Sequence, residues 1–133
     1  TKHIFRAHWL EESQHARMDH LETLRAFAGM SEAQRDVAID DLIGLVGAVD
    51  GLLREQARLD VQNLERYLGR RLSGGDRDQV GDAVLAAKRY TFIETGVTHP
   101  NFQDLFAAVT TPAQQARVHE ALAPILRPAA SAV

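Results

Sequence analysis

Cysteine is missing from all 133 residues. Disulfide staples, zinc ribbons and iron–sulfur clusters are therefore excluded as sources of stability or chemistry. That absence fits a reducing compartment, and a cytoplasmic location is the expectation. Proline occurs only at positions 100, 112, 124 and 128, so the strongest helix breaker is absent from the first 99 positions. No apolar run approaches the roughly 18 residues that a membrane span needs, and no signal peptide is read at the start. Positive charge is not in excess: fifteen Lys and Arg against eighteen Asp and Glu give a net charge of −3. A nucleic-acid partner and an anionic membrane surface both lose their usual electrostatic footprint. Strand signals are lacking too, because no stretch alternates apolar and polar residues with β-branched enrichment. There is no Ser/His/Asp grammar, phosphate loop or dinucleotide fingerprint. Gly74-Gly75 reads as a turn.

With 45% hydrophobic and 25% charged residues, the chain can bury one core without staples. The spacing predicts an all-α fold, a helical bundle, with one domain over residues 1–127 and a flexible tail over 128–133. The first helix is expected from about Lys2 to Ala28, closed by Gly29. A second helical stretch opens at Ser31, where Gln34 completes a capping box, and runs to about Leu72 with Ser73-Gly74-Gly75 as its stop. Such a stretch is ~60 Å long at 1.5 Å per residue. Gly44, Gly47 and Gly51 therefore suggest a bend, a close helix approach, or a long helix projecting into a partner. A third helix is expected from Asp76 to about Thr95 with Gly96 as its cap. Pro100 begins a short helix to about Val109. Thr111-Pro112 with Gln114 is the clearest start signal in the chain.

Chemistry concentrates in the first helix, in His8-Trp9-Leu10-Glu11-Glu12-Ser13-Gln14-His15-Ala16-Arg17-Met18-Asp19-His20. At 100° per residue, His8, Glu12, His15 and Asp19 fall within an arc of about 60°. Phe5, Trp9, Ala16, Thr23 and Phe27 flank that arc, which places the polar stripe beside an apolar face and predicts that it is half-buried. Imidazoles and carboxylates so placed need partners, and a divalent metal such as iron, manganese or zinc satisfies both donor types. The plain alternative is that Glu12 and His15, three apart, simply pair with each other.

The pattern His8-x3-Glu12-x2-His15 resembles the final metal-binding helix of ferritin-like di-iron carboxylate proteins. With its upstream histidine it is similar to the p-aminobenzoate N-oxygenase type. The resemblance covers about Phe5 to Glu22. It implies a bundle core holding two irons, with manganese as an alternative occupant, and chemistry toward dioxygen. It further implies that Glu12 bridges or chelates the metal, that His15 is a ligand, and that His8 is the additional imidazole. A second E-x-x-H is absent from this sequence. Two lone acids are the remaining candidates: Asp60 on the stripe Leu53, Ala57, Asp60, Leu64, Tyr67, and Glu94 on the stripe Val80, Val84, Ala87, Thr91, Glu94. Each has a bland alternative as the ion-pair partner of an arginine. A complete site requires residues preceding Thr1 or a second copy of the chain, and the non-Met start points to a piece of something longer. Self-association or a missing N-terminal half is thus the expected partner, with an unidentified small-molecule substrate.

The competing reading is a metal-free helical oligomerisation or interaction module. His8-x3-Glu12 and His99-x4-Asp104 also match hemerythrin spacings, but His15 and His20, five apart, diverge on a helix and leave that pattern without its paired histidines. The segment Lys88–Phe102 is dense in functional side-chain types. It reads either as a helix end followed by a proline-initiated helix, or as a lid presenting Thr98, His99 and Asn101.

Overall fold

A computed structural model describes residues 2–126. All regular structure among them is helical: α1 (Lys2–Ala28), α2 (Glu32–Leu68), α3 (Gly74–Arg89), a π-helical segment (Tyr90–Glu94), the single turn α4 (Thr95–Val97), α5 (Pro100–Val109) and α6 (Pro112–Leu126). The expected tail, 128–133, lies outside the described residues. No helix among those described is long and apolar enough to cross a membrane.

The helix starts follow the caps. Ser31 accepts from the Gln34 amide while the Gln34 side chain accepts from the Ser31 amide at 2.9 Å, which satisfies two orphan donors reciprocally. Across this turn the Arg35 guanidinium donates to the Phe27 carbonyl at 2.7 Å, pinning the end of α1 to the start of α2. Three boundaries differ from the sequence expectation, one being the end of α3, which gives way to the π-helical segment at Tyr90 instead of running to Thr95. α2 ends at Leu68, because Gly69 takes up the left-handed conformation (φ 65°) that closes a helix. Ser73-Gly74-Gly75 is a start instead of a stop, since the Ser73 hydroxyl accepts from the Asp76 amide at 3.2 Å.

α2 is continuous over 37 residues, about 55 Å long. Of the alternatives read from the sequence, a break is not what forms, since the helix runs through all three glycines. A Cβ added at Gly44, Gly47 or Gly51 meets nothing within 4 Å, so these glycines admit no close neighbour either. They lie on the open side of a spine. Against the N-terminal half of α2, Ile39 packs with Phe106 of α5 and with Val118 and Leu122 of α6. Against its C-terminal half lies α3. There Leu53, Ala57 and Val61 are buried, and a Cβ on Gly81 of α3 would sit 3.8 Å from Val61 Cγ2. Each such Leu, Ile, Val or Phe contributes roughly 1.5–3 kcal/mol by leaving water.

Between the two apolar clusters sits Asp50, 6% exposed. The Arg89 guanidinium grips it as a fork, Nε to Oδ1 at 2.6 Å and Nη2 to Oδ2 at 2.9 Å. Arg54 Nε adds a third donor at 2.8 Å. These hydrogen bonds, Arg89 first, hold the Asp50 carboxyl below the ordinary aspartate range despite its burial. Gln114 is the other buried polar residue. Its side chain closes the capping box with Thr111 and donates to Asp36 Oδ1 at 2.8 Å, joining α6 to α2.

Candidate metal centre

α1 is anchored at one end only. Its half-buried residues are His20, Thr23 and Phe27, and its packing partner is α5. Every residue from Lys2 to Asp19 is exposed, an arm on the order of 27 Å long. Ile4, Phe5, Trp9 and Met18 each stand more than 60% exposed along it. The stripe expected to be half-buried is therefore open, because no described element lies over this part of α1.

On that arm the Glu12 carboxylate lies between two imidazoles. His8 Nε2 is 3.7 Å from Oε1, and His15 Nδ1 is 3.7 Å from the other oxygen, Oε2. The three side chains are 57–66% exposed. Both contacts lie within ion-pair range, though at 3.7 Å neither is a hydrogen bond, so the plain pairing of Glu12 with His15 is present as a loose contact. Two donors each about 2.1 Å from a shared tetrahedral cation stand roughly 3.4 Å apart, so either pair would have to close by a few tenths of an ångström to share one. One imidazole faces each carboxylate oxygen. Asp19 shares the face and is exposed.

The two lone acids are placed elsewhere. Asp60 accepts an ion pair from Lys88 Nζ at 2.9 Å, linking α2 to α3, with its side chain 43% exposed. Val61 takes the inward position that the stripe through Asp60 and Tyr67 assigned to its neighbour, and Tyr67 is 90% exposed. Glu94 is half-buried at the end of the π segment. The wider π turn shifts the helical register, so Ile93, at 4% exposure, is the residue directed inward. Among the described residues no group of three or more His, Cys, Asp or Glu is arranged to enclose a metal ion. One copy thus offers a row of donors on a single helix and not a closed shell.

The segment Lys88–Phe102 resolves into local structure. His99 is the N-cap of α5, its Nδ1 accepting from the Asn101 amide at 3.2 Å, with Pro100 as the first helical residue. Thr98 Oγ1 turns back to the Glu94 carbonyl at 2.6 Å. Gly96 lies inside α4 and caps nothing, contrary to expectation. A groove that the sequence reading passed over lies at the α2–α3 turn, lined by Glu65, Arg66, Arg70, Arg71 and Arg77. The spacing Arg66-x3-Arg70-Arg71-x5-Arg77 across a glycine cap was its available signal. It contains none of the metal candidates.

No known family model matches the chain, and no curated protein or solved structure matches it either.

Proposed function

We propose that this chain carries part of a ferritin-like di-metal carboxylate centre, with α1 as one ligand-bearing helix. One observation carries the reading: Glu12 presents one oxygen to His8 and the other to His15, each at 3.7 Å, on an arm whose apolar residues have no cover. In it Glu12 would hold the metal as an anionic donor, with His8 and His15 as the imidazole donors beside it. Iron held there would supply redox chemistry toward dioxygen, and manganese suits the same donor set. The chain's own contribution is positional. A turn of helix separates successive donors, so the backbone sets their spacing, and Phe5 and Trp9 beside them supply the wall that excludes water once the arm is covered. The remaining ligands come from a partner helix laid along α1.

The test is metal retention. Protein reconstituted anaerobically with Fe(II) or with Mn(II), then desalted, should keep metal on elemental analysis. His15→Ala and Glu12→Gln should lose it while circular dichroism stays unchanged, since both positions are exposed. Metal-free wild-type protein after this treatment refutes the proposal. A second reading, a metal-free helical interaction module, is favoured by the incomplete ligand set in a single copy. It predicts assembly that is indifferent to both substitutions.

A further inference from the structure

The stripe on α1 has an internal symmetry. Its members, His8, Glu12, His15 and Asp19, are spaced four, three and four residues apart, so the pattern reads the same from either end. Reversing its direction exchanges chemistry as well as position. His8 changes places with Asp19, and Glu12 with His15, so every imidazole falls where a carboxylate was. A two-fold axis passing between Ser13 and Gln14 performs this exchange, and it is the operation that relates two antiparallel helices in an isologous dimer.

We infer that the occupant of the exposed α1 face is α1 of a second copy of this chain, antiparallel, with His8 opposite Asp19 of the second copy and Glu12 opposite His15 of the second copy. The inference rests on the metal reading above and names its missing partner. The charge pattern chooses this occupant. A parallel pairing would set Glu12 against Glu12 and Asp19 against Asp19, a like-charge arrangement that costs affinity. The antiparallel register instead gives four imidazole–carboxylate pairs around the axis and brings four histidines and four carboxylates to one place. That is a donor set large enough for two metal ions, which one copy lacks. The arm is free to pair in this way because nothing described covers Lys2 to Asp19.

The decisive experiment is a charge exchange read by sedimentation equilibrium in the presence of a chelator. His8→Asp alone sets a carboxylate against Asp19 twice per dimer and should weaken self-association about tenfold. Asp19→His alone should do the same. The double variant His8→Asp/Asp19→His restores opposite chemistry and should recover the wild-type dimer. Within one helix these positions are eleven residues apart, about 16 Å, so rescue can arise only between copies. Direction is read separately with a spin label on a single introduced cysteine, unique because the chain has none. Labels at Ser13→Cys should lie within roughly 25 Å of each other, and labels at Lys2→Cys at least ~30 Å apart. A monomer at hundreds of micromolar, a double variant no better than the singles, or a short distance at position 2 overturns the inference. A rescued antiparallel dimer that holds no iron or manganese upholds it while refuting the metal reading.

Discussion

Removing the Asp50 carboxylate should be among the most damaging single changes in the molecule. Asp50→Ala leaves Arg89, with a side chain 13% exposed, charged and without the two acceptor oxygens that face its fork. Breaking one partner out of such a buried pair costs about 3–5 kcal/mol. That is a large share of a typical 5–15 kcal/mol total, and in a chain this size it lowers Tm by about 10–20 °C. Arg54 is the internal control. It touches the same carboxylate but is 59% exposed, so Arg54→Ala should cost less than about 1 kcal/mol. Replacing both buried partners, Asp50→Leu with Arg89→Met, should be milder than Asp50→Ala alone, because no uncompensated charge remains. Acid adds an independent check. The Asp50 carboxyl is lowered in the folded state, so its contribution is present above the ordinary value of 3.8 and is lost as pH falls through the lowered one. Urea titrations followed by far-ultraviolet circular dichroism at neutral and acid pH measure all four quantities. An Asp50→Ala variant within 1 kcal/mol of wild type at neutral pH refutes the assignment of Asp50–Arg89 as the pin between α2 and α3.

Two further outcomes follow from exposure and space. Asp60→Ala removes a partner of Lys88 but a half-solvated one, so thermal melts should shift by the equivalent of less than about 1 kcal/mol, with Asp60→Asn no worse. A shift of several kcal/mol contradicts that placement. Gly44→Ala, Gly47→Ala and Gly51→Ala each add a methyl to open space on a helix and should stabilise by roughly 0.5–1 kcal/mol apiece. A loss of stability that grows with protein concentration points to a helix seated on this row in an assembly.

The helix content was legible because capping and proline signals are local. Ser31 with Gln34, and Thr111-Pro112 with Gln114, each specify a start from a few adjacent residues, and both starts stand as read. The row His8, Glu12, His15 was legible for the same reason, since three residues on one helix need no tertiary information to share a face. What failed depends on packing. The orientation of Asp60 follows from which face of α2 meets α3, and one residue of rotation gives that place to Val61. Glu94 is half-buried, but the π turn that changes the register after Tyr90 and directs Ile93 inward has no composition signal. Asp50 was passed over although an acid between Val49 and Leu53, on an otherwise apolar row, was a visible anomaly. Its partner stands 39 positions away, beyond the reach of periodicity.

The spine arrangement of α2 has a consequence for how the molecule assembles itself. α3 packs on one half of that helix and α6 on the other, and the two apolar clusters share little besides the rod between them. The α2–α3 cluster is closed by segments near in sequence and demands little loop-closure entropy, whereas Ile39 meets Phe106, Val118 and Leu122 from far along the chain, so that cluster carries the larger closure cost. Each half can also open without the other, as a separate cooperative unit. The Asp50–Arg89 knot lies where the two units meet. It forms only when α2 is intact through its midpoint and α3 has reached its full length, so it couples two local events into one transition. The α1 arm from Lys2 to Asp19 stands outside both units, and among the described residues its helix is held there by local hydrogen bonds alone.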